Sequence, residues 1–235
     1  MTEAEWLSCT DPQRMLSFLW AKTSGRKLGL FAVACARRIW NLLTDERSRK
    51  VVDVAERYSD GLVGRRELDA ARRAAWAAER KFLSGLAAQR EGQEVEVYTS
   101  KLDGLPMELA ESFFGAPAFV AARAMLAVDK ANPSSVREWR TADLIRDIFG
   151  PLPFRDIALG PAILTWNDST VVRLAQAAYD ERNMPTGTLD NGRLLVLADA
   201  LEESGCSDAS ILEHLRGPGE HVRGCWVVDQ ILGKE

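Results

Sequence analysis

Apolar side chains recur three and four positions apart along almost the whole chain, which is the period of an amphipathic α-helix. Capping residues mark predicted helix starts at Thr10-Asp11-Pro12, where proline follows a capping side chain, and at Thr44-Asp45-Glu46. Gly150-Pro151 marks a sharp helix end. For the first 150 residues the pattern predicts helices at about 12–20, 28–43, 46–58, 65–90, 107–130 and 136–149.

The stretch 150–162 interrupts this pattern, because it is rich in proline and glycine and has no periodic apolar run. After it, Asn167-Asp168-Ser169 is expected to cap a helix, and further helices are predicted at about 193–204, 208–216 and 221–232. We therefore predict an all-α fold, in which an N-terminal helical bundle (residues 1–150) packs against a smaller C-terminal helical unit (151–235). The two parts are also compatible with one domain. At most one short β element is expected, near 94–98 or 154–158.

The apolar faces of these helices predict the core. We expect the following side chains to be buried: Phe31, Cys35, Ile39, Leu42, Leu174, Leu197, Leu201, Trp226 and Val227.

Composition narrows the class of protein. The 235 residues are 46% hydrophobic and 27% charged, which is typical of a globular protein. The net charge is −4, but residues 1–101 hold 18 Lys and Arg against 14 Asp and Glu, whereas residues 102–235 hold 12 against 20. No stretch reaches eighteen uncharged apolar residues, and the acidic start differs from a secretory signal peptide. We therefore expect no membrane segment, and the wide spread of the four cysteines predicts a cytoplasmic protein.

The C-terminal forty residues hold both histidines and two of the four cysteines. His221 and Cys225 are four apart on one predicted helix, so both could face one ion, and a Gly-Pro-Gly turn could fold His214 back onto them. Cys206 fits poorly, because a helix of eight residues would separate it from His214 by about 12 Å. The spacing matches no common zinc module. We therefore predict no bound metal and no cofactor, with His214, His221 and Cys225 as the weak candidates for a metal site.

The predicted helix at 65–90 is rich in arginine. Arg66, Arg73 and Arg80 recur every seven residues and share one face, so the helix could follow a phosphate backbone. Glutamate and aspartate residues interleave with them, which favours a solvated face with salt bridges.

Seven tryptophans are many for this length, and tryptophan is favoured where proteins bind each other. Most lie in apolar faces, but Trp76 and Trp139 stand beside charged residues and are candidates for exposed anchors. The chain has no glycine-rich phosphate loop, nucleophile motif or dinucleotide fingerprint, and its paired acidic residues lack a partner base. We therefore predict no catalytic residue.

Two blocks of sequence carry a resemblance. The opening Glu5-Trp6-Leu7-Ser8-Cys9-Thr10-Asp11-Pro12, with the run from Leu30 to Trp40, resembles the start of a paralogous family abundant in planctomycete genomes. The close, from Leu164 through Ala198-Asp199-Ala200-Leu201-Glu202-Glu203 to Asp229, is similar to that family's ending, and its centre resembles the repeat-companion domains found beside leucine-rich repeats. The resemblance implies a bacterial protein, but it implies no activity and carries over no catalytic residue.

Together these observations predict a non-catalytic helical module that binds another protein, whose identity the sequence does not name. The alternative is an accessory protein that binds nucleic acid through the basic 65–90 helix and the Arg37/Arg38 neighbourhood. A third reading, a metal-supported site at the C-terminal cluster, stays open.

Overall fold

The computed structural model describes residues 1–19, 22–38, 40–43, 45–89, 141–151 and 153–234, apart from the side chains of residues 13, 42 and 78–89. Its α-helices are α1 (Glu3–Ser8), α2 (Pro12–Leu19), α3 (Gly25–Arg38), α4 (Glu46–Ser59), α5 (Arg65–Gln89), α6 (Thr141–Phe149), α7 (Pro161–Asp180), α8 (Asn191–Glu203), α9 (Ala209–Arg216) and α10 (Trp226–Leu232). A short 3₁₀ helix, Trp40–Leu42, follows α3.

The all-α prediction is confirmed. The described residues form no sheet, only the isolated bridges that link Thr188 to Asn183 and to Val222. Residues 154–158 contain no strand, and 94–98 and the predicted helix at 107–130 lie outside the described residues.

The chain divides into two compact units. We call Met1–Lys27 with the described part of Trp139–Glu235 the terminal unit, and the described part of Leu28–Glu138 the central unit. This grouping differs from the expected division at residue 150, because it places α6 with the C-terminal helices. The reason is a tertiary contact, since Asp147 of α6 hydrogen-bonds to His221 and to the Val222 N–H in the segment between α9 and α10.

One core cluster of the terminal unit is built mainly from α7, α8, α9 and α10, and further buried apolar residues lie on α1, α2 and α6. Leu197, Leu201 and Trp226 are almost completely buried, as expected, whereas Leu174 is only partly buried. Gly150 at the end of α6 has φ +51°, and a Cβ there would lie 2.5 Å from the Trp226 ring. Only glycine therefore suits this close approach.

Helix α7 contains a break. Trp166 leaves the helical conformation, and Asn167, Asp168 and Ser169 have positive φ values of 45°, 56° and 59°. The sequence predicted a helix start at these three residues. The interruption is there, but helix also precedes it from Pro161.

In the central unit α4 packs against α5. Val52, Val54 and Leu68 lie in its core, and Phe31 and Cys35 on α3 are buried as expected. The expected core residue Ile39 and the side chain of Leu42 lie outside the described part of the chain. Arg37 is buried, and its guanidinium pairs with Asp53 and Glu56 on α4. The other buried hydrophobic residues in the described part of this unit are Leu30, Val33, Ala34, Ala36, Leu43, Val51, Ala55 and Ala75.

Candidate functional site

Four side chains with metal-binding or acid–base chemistry meet inside the terminal unit. Asp147 lies on α6, His214 in the last turn of α9, and His221 and Cys225 in the segment between α9 and α10. One potential ligand atom from each lies within 4.8 Å of the others. We call these four residues the buried cluster.

The local conformation of this segment differs from the expected one. A helix was predicted from residue 221, but α10 begins at Trp226. His221 and Cys225 instead lie on a tight turn, in which the Cys225 N–H donates to the Val222 carbonyl at 2.9 Å and Gly224 has φ +97°. The two side chains still converge, but by a turn rather than by a helical face. Cys206 is buried in the apolar core outside the cluster.

The contacts within the cluster are short. Oδ1 of Asp147 lies 2.7 Å from Nδ1 of His221 and 3.1 Å from Nε2 of His214. The Cys225 Sγ lies 3.3 Å from Nε2 of His214 and 3.8 Å from Nδ1 of His221. The two imidazole rings meet edge to face, with their centroids 4.8 Å apart. A carboxylate oxygen, two ring nitrogens and a sulfur thus surround one small volume.

The cluster is enclosed by protein. Asp147 and His221 are each 3% exposed and Cys225 is 0% exposed, while the side chain of His214 reaches 19%. Oδ2 of Asp147 accepts the Val222 N–H at 2.8 Å, which orients the carboxylate so that Oδ1 points to the histidines. Nε2 of His221 is buried and has no hydrogen-bond partner among the described residues.

This environment shifts the ionisation of three groups. Burial alone would raise the pKa of Asp147, but the charge of His221 and hydrogen bonds from both histidines hold it well below its usual value. Burial lowers the pKa of His221, yet the Asp147 carboxylate outweighs it and the pKa is raised. Burial, and then the charge of Asp147, raises the pKa of the Cys225 thiol well above its usual value. These shifts favour the charged forms of Asp147 and His221 and the neutral form of the Cys225 thiol.

A buried lysine holds the backbone on both sides of the cluster. Nζ of Lys27 donates to the carbonyl of Ile148 at 3.0 Å and to that of Gly224 at 2.8 Å, and it pairs with Asp229 at 2.6 Å. Ile148 follows Asp147 and Gly224 precedes Cys225, so one ammonium group fixes two of the segments that supply cluster residues. These three partners occupy all three donors of the ammonium group.

A cleft of about 390 Å³ opens beside this lysine, lined among others by Lys22, Lys27, Trp226 and Asp229. The Asp229 carboxylate also accepts from Arg26 at 2.7 Å. The buried ammonium and carboxylate of the cleft therefore stabilise the fold, and neither is available to a ligand.

The predicted interaction residues fall into two groups. Trp76 is exposed, at 44%, and Arg66 and Arg73 are exposed on the same helix. Trp139 and the side chain of Arg80 lie outside the described part of the chain. The neighbouring Arg65 and Arg72 both lie within ion-pair distance of Asp69, at 3.2 and 3.7 Å.

The sequence analysis did not identify two features. Asp147 completes the buried cluster, but an aspartate inside an amphipathic helix carries no signal for a partner more than sixty residues away. Leu195 and Val196 on α8 are 46% and 53% exposed, although the run Leu194–Leu197 is uniformly apolar. The helical spacing of Leu194, Leu197 and Leu201 was the one signal in the sequence, because it places these three residues on one side of α8 and leaves Leu195 and Val196 off that side.

Comparison with known proteins finds no matching family model, no matching curated protein and no matching solved structure. Kinship with the planctomycete family therefore stays a prediction. Among the described helices, none has the length and apolar composition needed to cross a membrane.

Proposed function

We propose that this chain is a non-catalytic helical module that binds another protein. One observation carries the proposal: α8 exposes two adjacent large apolar side chains, Leu195 and Val196. The opposite side of α8 is buried, with Leu194 and Leu197 at 0% exposure. Single exposed apolar residues are ordinary, but an adjacent leucine–valine pair on the outer face of a packed helix offers an anchor for a partner.

Charged side chains follow this apolar pair along α8. Asp199 and Glu202 both pair with Arg216 of α9, at 2.8 and 2.6 Å, and Glu203 is exposed beside them. Three carboxylates against one guanidinium leave this face acidic. A partner that places an apolar side chain against Leu195 and a basic residue toward the acidic end would match it.

The enclosure of the buried cluster supports a non-catalytic role. A general acid or base must come within hydrogen-bond reach of its substrate. Asp147, His221 and Cys225 are at most 3% exposed, so a substrate could reach them only after the unit opens. The proposed binding surface on α8 needs no such opening.

Site-specific photocrosslinking in cells tests the proposal. A photoreactive amino acid at Leu195 is expected to yield a discrete crosslinked protein, whereas the same amino acid at exposed Glu213 on α9 yields none. The captured protein, once purified, is expected to bind the native chain and to lose at least tenfold in affinity toward Leu195→Ser. Equal crosslinking from both positions, or unchanged affinity of Leu195→Ser, would contradict the proposal.

Nucleic-acid binding through α5 is the alternative, and the exposed Arg66 and Arg73 favour it. The burial of Arg37 with Asp53 and Glu56 removes that residue from any phosphate contact. Titration of duplex DNA and of RNA at rising salt separates the two functions, because phosphate binding weakens steeply with salt. A steep slope that becomes shallower in Arg66→Ala and Arg73→Ala would favour this alternative.

A cytoplasmic location likewise stays a prediction of the sequence.

A further inference from the structure

The geometry of the buried cluster points to a bound metal cation. Zn²⁺ binds histidine nitrogen at about 2.0–2.1 Å, carboxylate oxygen at about 2.0–2.2 Å and cysteine sulfur at about 2.3 Å, in a tetrahedron. The edges of such a tetrahedron measure about 3.3–3.7 Å. Four of the separations between cluster atoms are 2.7, 3.1, 3.3 and 3.8 Å, and one potential ligand atom from each residue lies within 4.8 Å of the others. Movements of about half an ångström to one ångström would place all four atoms around one ion.

We propose that Asp147, His214, His221 and Cys225 bind one Zn²⁺ ion. This inference is independent of the proposed protein-binding surface on α8, and each can fail without the other.

Charge balance supports a divalent cation at this position. One carboxylate and one thiolate carry two negative charges, and two neutral imidazoles add none, so Zn²⁺ makes the buried cluster neutral. Neutrality matters because an uncompensated charge in an enclosed site is costly. Two nitrogens, one sulfur and one oxygen are also the ligand types that zinc accepts, whereas Mg²⁺ and Ca²⁺ select oxygen ligands.

The surroundings hold the ligands in place, as at metal sites in general. The Val222 N–H occupies Oδ2 of Asp147 and leaves Oδ1 for the ion. Lys27 fixes the carbonyls next to Asp147 and Cys225 through its bonds to Ile148 and Gly224. These contacts pre-position two of the four ligands without competing for the ion.

The coordination shell is closed, so the ion would be structural. Four protein ligands fill a tetrahedron and leave no position for water or substrate, and only the His214 side chain reaches solvent appreciably. The ion would join α6 to α9 and to the turn before α10, across more than sixty residues of chain. It would therefore stabilise the terminal unit rather than react.

Metal analysis of the full chain, produced without a histidine tag and with zinc in the growth medium, tests the inference. We expect one Zn²⁺ per chain. After the zinc is replaced by Co²⁺, we expect the intense visible bands of tetrahedral cobalt and a near-ultraviolet thiolate-to-cobalt band. Cys225→Ser is expected to lose the thiolate band. Cys206→Ser, a buried cysteine of the same unit outside the cluster, is expected to keep both the metal and the spectrum.

His214→Gln provides a variant that is less exposed to folding failure, because His214 is the least buried ligand. We expect it to remain helical by circular dichroism but to bind Zn²⁺ at least tenfold more weakly in competition with a chelating dye. Zinc content equal to that of the buffer, together with no tetrahedral cobalt spectrum, would show a hydrogen-bonded cluster only and overturn the inference. So would a cobalt spectrum that Cys225→Ser leaves unchanged.

Discussion

Replacing Leu197 by alanine should destabilise the terminal unit strongly. Leu197 is 0% exposed and lies in the core between α7, α8 and the C-terminal helices. The change removes the equivalent of three methylene groups, about 2.4 kcal/mol at about 0.8 kcal/mol each. If the surrounding side chains do not collapse, a cavity of about 70 Å³ adds about 1.7 kcal/mol at about 24 cal/mol per Å³. We therefore expect a loss of about 4 kcal/mol in the free energy of unfolding.

Leu195→Ala is the matched control, because it makes the same chemical change on the same helix two residues earlier. Leu195 is 46% exposed, so its truncation leaves no enclosed cavity and should cost less than about 1 kcal/mol. Urea unfolding followed by circular dichroism measures both variants, and hydrogen exchange of α8 peptides assigns the transition to the terminal unit. If Leu197→Ala costs under about 1 kcal/mol, or if the two variants cost the same, the packing of α8 described above is wrong.

Three further substitutions test other parts of the structure. Gly150→Ala should lower the free energy of unfolding by about 1–3 kcal/mol or more, because it adds backbone strain and a clash with the Trp226 indole. Gly219→Ala, whose new Cβ would meet nothing within 4 Å, should be nearly neutral, and thermal unfolding compares the two variants. Asp208 caps α9, so its replacement by alanine should cost about 0.5–2 kcal/mol and by asparagine much less. Hydrogen bonds from Ser210 lower the pKa of Asp208, so the stabilisation from its charged carboxylate is present above the usual carboxyl pKa and is lost as the pH falls through the folded value. The difference in free energy of unfolding between the native chain and Asp208→Ala should therefore become smaller at acid pH. Arg37→Ala should lower the free energy of unfolding of the central unit by about 3–5 kcal/mol, because it leaves the Glu56 carboxylate buried without the Arg37 guanidinium. The double variant Arg37→Ala/Glu56→Gln should recover part of this loss, and no recovery would show that the two residues are not coupled.

Local pattern alone was enough to predict most of the helices. Helical periodicity and capping residues depend on neighbours within a few positions, so the starts of α2, α4 and α5 and the helix end at Gly150 follow directly from the sequence. The same information failed between His221 and Cys225, where apolar spacing predicted a helix and the chain forms a turn around Gly224. A positive φ at one glycine is a local event that periodicity does not register.

Residue spacing brought three members of the buried cluster to attention, because His214, His221 and Cys225 lie within twelve positions. Asp147 could not be predicted, since its place beside them depends on how α6 packs against the turn before α10. Without that fourth group the spacing argued against a metal site, and with it the cluster has a complete set of ligand types. A coordination shell is a property of three-dimensional convergence, which no distance along the chain encodes.

The sequence by itself determined that this protein is helical and that both histidines and two of the four cysteines lie near the C-terminus, because amphipathic period and residue type are local properties. Only the tertiary structure decided which side chains of the run Leu194–Leu197 are buried and which are exposed. It also decided that α6 belongs to one compact unit with α1, α2 and the C-terminal helices. Both outcomes depend on contacts between segments far apart in sequence, where packing and the pairing of buried charges select one arrangement among several that the pattern allows.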